Sequence, residues 1–231
     1  MKAWVSAAVA LLVTVSVAAG QAEKADGARG PILERIEWVD IWVTGANKND
    51  RPRVLLVGDS IVRGYYGIVE KELGDSVYCA RYTTSAFLTN PDYLAMLEIL
   101  LKRYHFDVIH INNGLHGRDY DERAYAAGLP PLYATLRRLA PDAVLIWATT
   151  TPVRRQDDLT KLDERWMPKV RERNRIAVDF MRRHGVAIDD LFSLVVKHPE
   201  YSRSDGVHFN ARGYEVLGRQ VAEAIRRALK E

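Results

Sequence analysis

The chain has 231 residues, of which 48% are hydrophobic and 27% are charged, and its formal net charge is +3. This length suits one domain with a short extension, and the composition excludes a disordered chain. A single cysteine, Cys79, excludes an intramolecular disulfide and a cysteine-rich zinc site, and the small charge indicates no nucleic-acid partner.

The N-terminus has the pattern of an export signal. Lys2 precedes an apolar run from Trp4 to Ala19, and small residues follow it around Gly20. A run of about 16 residues is shorter than the roughly 20 that a membrane-spanning helix needs. We therefore predict a signal peptide over residues 1–20 and a secreted or periplasmic protein with no stable membrane insertion after cleavage. An uncleaved membrane anchor is the alternative.

Residues 21–52 are predicted as a polar lead-in followed by an N-terminal strap. Apolar residues recur at helical spacing in the strap: Ile32, Ile36, Val39 and Val43. A polar stretch over 45–50 ends the pattern, which predicts a short helix lying on the domain. The domain itself is predicted over residues 53–231.

From residue 53 onward, short apolar runs alternate with helical patterns. Strands are predicted over 54–57, 77–80, 108–111, 143–148 and 186–188. Helices are predicted over 61–73, 91–104, 121–139 (with a break at 128–130), 163–184 and 210–229. This alternation predicts an α/β fold, a doubly wound three-layer α/β/α sandwich around a five-stranded parallel sheet. Ligands in such sheets bind at the carboxyl ends of the strands.

The first of these strands ends in the sequence Gly58-Asp59-Ser60. Ser60 lies where a helix begins, so its hydroxyl can face the crevice at the end of the sheet. Backbone amides at a helix N-terminus favour negative charge. Ser60 is therefore a candidate nucleophile, and the alternative is that Asp59 or Ser60 only caps the helix.

A second motif, Asp205-Gly-Val-His208, stands just before the last helix. A carboxylate three residues before an imidazole on a tight loop can hold one ring nitrogen while the other faces a hydroxyl. That is the orienting acid and general base of a Ser-His-Asp system. The alternative is a solvated turn with an incidental histidine.

A third motif follows the third predicted strand and spans residues 110–117, His-Ile-Asn-Asn-Gly-Leu-His-Gly. Its amide, imidazole and glycine N–H groups could stabilise an oxyanion. His110 and His116 could instead be metal ligands. No cysteine or carboxylate stands at the usual ligand spacing, so we expect neither a metal nor a cofactor.

Gly-Asp-Ser after the first strand, combined with Asp-x-x-His before the last helix, resembles the SGNH hydrolase family, also called GDSL esterases. The resemblance extends over residues 53–230. It implies a flavodoxin-like sandwich and a serine ester hydrolase. By this resemblance Ser60 is the nucleophile, and Asp205 and His208 complete the triad.

Two motifs depart from the family pattern. Ser85 takes the position of a glycine whose amide, together with that of Ser60, would serve the oxyanion hole. The usual Gly-x-Asn-Asp block corresponds to residues 114–117, which puts His116 in place of the oxyanion asparagine. A shift of the chain would instead give this role to Asn112 or Asn113. We favour His116 because it keeps the glycine in register, and a neutral imidazole N–H can donate the same hydrogen bond.

The expected substrate is a small-molecule or polysaccharide ester. The family resemblance and the predicted export indicate hydrolysis of short-chain O-acyl esters, acetyl above all, on a carbohydrate. Arg154 and Arg155 follow the fourth predicted strand and could reach an anionic sugar, or could form an ordinary solvated pair. An acyltransferase, a thioesterase or a catalytically impaired carbohydrate-binding protein are the alternatives.

Overall fold

A computed structural model of the protein describes residues 30–230. The predicted signal peptide, residues 1–20, lies outside the described residues. Between residues 30 and 230, no helix combines the length and the apolar character needed to cross a membrane.

Residues 30–230 form one six-stranded sheet flanked by helices. The strands are β1 (Val39–Val43), β2 (Arg53–Gly58), β3 (Tyr78–Thr84), β4 (Val108–Ile111), β5 (Val144–Ala148) and β6 (Ala187–Asp189). The α-helices are α1 (Ser60–Leu73), α2 (Pro91–Arg103), α3 (Glu122–Leu139), α4 (Met167–Arg183), α5 (Leu191–Val195) and α6 (Ala211–Ala228). The strand order is β1-β3-β2-β4-β5-β6, in which β1 is antiparallel to β3 and the other neighbours are parallel.

Strand β2 lies at the centre of the sheet and is buried along its whole length. Successive side chains of a strand point to opposite faces. Leu55 and Val57 accordingly pack in the core beneath α2, α3 and α4, while Val54 and Leu56 pack in the core beneath α1, α5 and α6. Two apolar cores on the two faces of a mainly parallel sheet confirm the predicted α/β/α sandwich.

The predicted helical strap is wrong in part, because residues 39–43 form the edge strand β1. Val39 pairs with Thr84 and Val43 pairs with Ala80, so β1 covers the free edge of β3. Val39, Ile41 and Val43 alternate along the chain as well as fitting a helical spacing, and β-branched residues favour strands. The open hydrogen-bonding edge of β3 decides between the two patterns, and the sheet has six strands instead of five.

Helix α3 is continuous where a break was predicted at residues 128–130. It runs through Pro130 and Pro131, although a proline removes a backbone donor and crowds the preceding turn. Leu129, Leu132 and Leu136 are almost fully buried on one side of this helix and hold it against the sheet. The packing of this face outweighs the local cost of the prolines.

The parallel strands bring three chain segments together at one edge of the sheet. Val57 at the end of β2 pairs with Ile111 at the end of β4, which in turn pairs with Trp147 in β5. The loops that follow these strands therefore emerge side by side. Ser60 follows β2, and the residues from 112 to 117 follow β4.

Candidate active site

Ser60 is the first residue of α1, and its hydroxyl is not used to cap the helix. The cap is Asp59, whose Oδ1 accepts a hydrogen bond of 2.9 Å from the amide of Ile61. Because Asp59 satisfies the helix terminus, the hydroxyl of Ser60 is free to face the crevice. Of the two alternatives for this motif, the capping role belongs to Asp59.

Ser60, His208 and Asp205 form a continuous hydrogen-bonded line. Nε2 of His208 lies 2.8 Å from Oγ of Ser60. Nδ1 of the same ring lies 3.0 Å from Oδ2 of Asp205. The structure thus brings together the three residues named for a triad, although Ser60 and His208 are 148 positions apart in the sequence. A ring held in this way can accept the serine proton at Nε2 while Nδ1–H stays bound to the carboxylate.

The loop that carries Asp205 and His208 is held by its own backbone. Oδ1 of Asp205 accepts hydrogen bonds from the amides of Val207, at 2.9 Å, and His208, at 2.8 Å. Gly206 has a φ of +71° and touches the carbonyl of Arg154 so closely that a Cβ would lie 2.2 Å from its oxygen. Only glycine suits that backbone and that approach. The sequence spacing Asp-Gly-Val-His thus folds into a rigid turn.

The carboxyl of Asp205 is held in its charged form. Its burial would raise its pKa, but the hydrogen bonds from the amides of His208 and Val207 outweigh that effect and lower the pKa below the ordinary 3.8. A negative charge therefore faces Nδ1 of His208 across the neutral pH range, as required for an imidazole that becomes cationic when it takes a proton.

Ser85 does not supply the oxyanion donor predicted for it. Its amide donates to the carbonyl of Trp38 at 3.1 Å. Its hydroxyl accepts from the amide of Trp38 at 2.9 Å and donates to Oε2 of Glu37 at 2.6 Å. The chain just before β1 continues the pairing along β3 and occupies these groups. The prediction did not include this neighbour because the strap was expected to be helical.

The two asparagines of the third motif are also committed elsewhere. Nδ2 of Asn112 donates to the carbonyl of Ala148 at 2.9 Å, and Nδ2 of Asn113 donates to the carbonyl of Ala86 at 3.0 Å. Both side chains are buried. His116, in contrast, lines the cavity that contains Ser60 and His208. Of the three candidates for the oxyanion position, His116 lines the cavity at Ser60 and the two asparagines do not.

Sequence reasoning missed Glu34, which lies in the strap and contacts the third motif. Its Oε2 lies 3.0 Å from Nδ1 of His116, and its Oε1 accepts from the amide of Gly117 at 3.1 Å. Glu34 and His116 are 82 positions apart, so no local spacing connects them. This carboxylate lies on the wall of the same cavity as Ser60.

The side chain of Arg173 in α4 holds the backbone of the third motif through hydrogen bonds. This side chain is fully buried, and its two terminal nitrogens donate to four carbonyls. The acceptors are Gly114 at 2.9 Å, His116 at 2.7 Å, Gly117 at 2.8 Å and Tyr120 at 3.3 Å. One guanidinium thus determines the path of the whole loop, and the sequence offered no signal for it because Arg173 appeared as one charge of a polar helix.

Replacing Arg173 with methionine is expected to lower the free energy of unfolding by at least about 3 kcal/mol, because buried carbonyls lose their donor. Urea unfolding followed by circular dichroism measures this. Arg175→Met on the same helix is the control, since its exposed pairs with Glu172 and Asp179 should contribute less than about 1 kcal/mol. Equal stability of the two variants would contradict the anchoring role.

Two neighbouring cavities, which share several lining residues, lie at and beside the serine. The first, of about 290 Å³, is lined by Ser60, His116 and His208 among others. The second, of about 840 Å³, opens beside it. Both are bordered by Arg118 and Trp166, whose guanidinium and ring are stacked with the guanidinium carbon 4.7 Å from the ring centroid. The structure therefore places a small chamber at the serine beside a larger polar cleft.

The two arginines predicted for substrate binding have partners within the protein. Arg154 is 3% exposed, and its guanidinium donates to the carbonyls of Leu159 at 3.2 Å and Val196 at 2.7 Å. Arg155 lies at the border of the larger cleft but is paired with Asp157. Both arginines border the larger cleft, Arg154 with its guanidinium bonded to backbone carbonyls and Arg155 in an exposed ion pair.

The two histidines weighed as metal ligands are not brought together. His110 is fully buried, with Nε2 3.0 Å from Oδ2 of Asp189, whereas His116 faces the cavity. Across residues 30–230 no group of three or more histidine, cysteine, aspartate or glutamate side chains is arranged to hold a metal ion.

Comparison with known proteins relates this chain to solved structures. An aryl esterase from M. smegmatis matches 77% of this chain and 99% of its own length, with a TM-score of 0.65 and 16% identity. A carbohydrate acetylesterase from Sinorhizobium meliloti covers the same shares, with a TM-score of 0.61 and 16% identity. A member of the lipolytic G-D-S-L family from Veillonella parvula covers 76% of this chain and 98% of its own, with a TM-score of 0.60 and 17% identity.

The chain has the fold that these three solved structures share. No protein-family model matches the sequence, and no curated protein matches it. Within this fold, the Gly-Asp-Ser and Asp-x-x-His motifs lie at the same edge of the sheet and contact each other. The departures from the family pattern, at Ser85 and His116, both contact the strap, at Trp38 and Glu34 respectively.

Proposed function

We propose that this protein is a serine ester hydrolase of the SGNH type that removes short acyl groups, acetyl above all, from a carbohydrate. The observation that carries this proposal is the hydrogen-bonded line from Ser60 through His208 to Asp205. Structures of the same fold include an aryl esterase and a carbohydrate acetylesterase, which supports the reaction class.

In the proposed mechanism, Oγ of Ser60 attacks the carbonyl carbon of the ester while Nε2 of His208 takes its proton. Asp205 stabilises the resulting imidazolium through Nδ1–H. The tetrahedral intermediate collapses when His208 gives its proton to the leaving alcohol, which leaves an acyl-serine. Water, activated by the same imidazole, then attacks the acyl-serine and regenerates Ser60.

We assign the oxyanion donors to the amide of Ser60 and the side chain of His116. The Ser60 amide belongs to the first turn of α1, where unpaired N–H groups and the helix dipole favour negative charge. His116 lines the same cavity and contributes a ring nitrogen. Donors fixed before the reaction act where charge develops, and each contributes about 10²–10³-fold to rate in known cases.

The dimensions of the cavity support a short acyl group. The chamber at Ser60 has a volume of about 290 Å³, and three aliphatic side chains line it among polar and aromatic groups: Leu115, Val153 and Val207. A long alkyl chain would need an extended apolar surface. We therefore propose that p-nitrophenyl acetate is hydrolysed faster than the corresponding octanoate.

The adjoining cleft supports a carbohydrate as the alcohol portion. Trp166 offers an aromatic face for a sugar ring, and Gln156 offers an amide for its hydroxyls. The guanidinium of Arg118 stacks on the ring of Trp166. Within the described residues it has no ion-pair or hydrogen-bond partner. Because an export signal is predicted, we propose that the substrate is a polysaccharide outside the cytoplasm.

Replacing Trp166 with alanine is expected to raise KM for an acetylated oligosaccharide about tenfold, because the sugar loses its stacking surface. KM for p-nitrophenyl acetate should rise less than KM for the oligosaccharide, because the small ester meets Trp166 only in the chamber at Ser60 and leaves the cleft empty. Trp42→Ala is the control, because Trp42 is exposed on β1 and does not line either cavity. An equal rise in KM for both substrates would contradict the assignment of the cleft.

The overall proposal is tested by measuring acetate release from a panel of acetylated glycans and the rate of hydrolysis of p-nitrophenyl acetate. Turnover that depends on Ser60 supports the ester hydrolase. Product analysis in the presence of added alcohols provides a second readout: acyl transfer exceeding hydrolysis would contradict hydrolysis as the main reaction.

A further inference from the structure

The cavity at Ser60 contains a second carboxylate–imidazole pair in addition to Asp205 and His208. Oε2 of Glu34 lies 3.0 Å from Nδ1 of His116, while Oε1 of the same carboxylate is fixed by the amide of Gly117. The His116 carbonyl is bound by the buried Arg173. Both ends of His116, side chain and backbone, are thus held, and no step described above uses Glu34.

The contact with Glu34 decides which form of His116 can serve an oxyanion. A carboxylate accepts a hydrogen bond, so Nδ1 of His116 carries the proton. A neutral ring in that tautomer presents a bare Nε2, whose lone pair repels a negatively charged oxygen. Only the imidazolium, protonated on both nitrogens, offers an N–H donor at Nε2.

We propose that Glu34 holds His116 as an imidazolium whose Nε2–H and positive charge stabilise the oxyanion formed at Ser60. Glu34 is then a positioning residue, and the strap that carries it is a component of the active site. The inference rests on the proposed esterase function and extends it, since it assigns opposite charge states to the two histidines of the cavity: neutral for His208 and cationic for His116.

The charges around His116 favour its cationic form. The acidic groups near it are Glu34 and Glu37 of the strap and Asp59 at the start of α1. The basic groups near it are Arg118 of its own loop, Arg63 of α1 and Arg173 of α4. Asp205 and His208 line the same cavity. Burial lowers the pKa of His116, but the hydrogen bond to Glu34 and the charges of Asp59, Glu34 and Glu37 outweigh it. The pKa is raised above the ordinary 6.5.

The carboxyl of Glu34 responds in the opposite direction. Burial would raise its pKa, but the contact with His116, the amide of Gly117 and the charge of Arg118 lower it below the ordinary 4.5. The ring of Trp38 meets the ring of His116 edge to face, with centroids 6.3 Å apart, and the guanidinium of Arg63 stacks on Trp38. Trp38 and Arg63 thus cover the Glu34–His116 pair on the side of the strap, while His116 still lines the cavity.

The proposal predicts how activity depends on pH. His208 must be neutral to accept the serine proton. His116 must be charged, so activity falls as pH rises through the pKa of His116. Because Glu34 helps to raise that pKa, Glu34→Gln is expected to move the alkaline fall to lower pH. His116→Gln, whose amide does not titrate, is expected to remove it.

The experiment measures kcat and KM of the full chain for p-nitrophenyl acetate against pH, for wild type, Glu34→Gln and His116→Gln. Near neutral pH we expect kcat to fall about tenfold or more in each variant with KM nearly unchanged. Glu200→Gln is the matched control: this carboxylate lies 2.8 Å from Nδ1 of His198 and lines neither cavity, so its alkaline limb should not shift. Unchanged kcat and an unchanged alkaline limb in Glu34→Gln would overturn the proposal.

A measurement on the unaltered protein keeps the proposal testable if a variant fails to fold. The imidazole NMR signals of His116, assigned in the wild type through their proximity to the ring of Trp38, should titrate above pH 6.5. Titration at or below that value would overturn the proposal. Failure of the esterase function itself is distinguishable, because wild type would then show no Ser60-dependent turnover at any pH.

Discussion

Replacing Ser60 with alanine is expected to lower kcat for p-nitrophenyl acetate by at least about a thousandfold. Alanine removes the only atom that can form the acyl-enzyme in the proposed mechanism, while the helix start is preserved because Asp59 provides the cap. The residual rate should come from direct attack of water on the bound ester, with the oxyanion donors still stabilising the intermediate. Steady-state assays of the purified chain measure this effect.

The control for this substitution is Ser204→Ala, which removes an exposed hydroxyl next to Asp205 and should leave kcat within about threefold. Labelling with a fluorophosphonate probe provides a second readout, since wild type should react at Ser60 and Ser60→Ala should not react. Wild-type turnover in Ser60→Ala would refute the nucleophile assignment, and an unlabelled, folded wild type would favour a carbohydrate-binding protein over an enzyme.

Replacing Asp205 with asparagine is expected to lower kcat by about 10³–10⁴-fold. Asparagine has the same shape, but its single oxygen is needed by the amides of Val207 and His208. Its NH2 group then faces Nδ1 of His208 and donates to it, which favours the wrong tautomer of the ring. The substitution also removes the negative charge that stabilises the imidazolium. The low pKa of Asp205 means that this charge is present throughout the pH range in which His208 acts as base.

The assay for Asp205→Asn compares kcat and KM with those of Asp157→Asn. Asp157 borders the same cleft but is exposed and pairs with Arg155, so its loss should change kcat less than about threefold. Thermal unfolding followed by circular dichroism separates a catalytic effect from loss of the turn. A folded Asp205→Asn variant within tenfold of wild type would contradict the assignment of Asp205 as the orienting acid.

The strap contacts the sheet and the candidate active site at several points. Its edge strand β1 closes the sheet, Trp38 occupies the amide of Ser85, and Glu34 holds His116. Both positions where the sequence departs from the family pattern, Ser85 and His116, are in contact with the strap, which lies outside the resemblance over residues 53–230.

The sequence by itself determined the sandwich and the chemistry at its edge. Runs such as residues 54–57 are apolar on both faces, which only a buried parallel strand accommodates, and the two short motifs are local patterns at strand and helix ends. Gly-Asp-Ser and Asp-x-x-His could be read because each is encoded within four neighbouring residues. Their meeting at 2.8 Å follows from the topology that the alternation predicts.

Only the tertiary structure decided which donors and charges are free. The strap fits a helical and a strand spacing equally, and the exposed edge of β3 selects the strand. Ser85 and Arg154 are committed to backbone partners that the sequence does not place beside them, at Trp38 and Val196. The Glu34–His116 pair joins residues 82 positions apart. Hydrogen bonds are short-ranged, so whether a polar group is available depends on its neighbours in space, and the fold alone determines those.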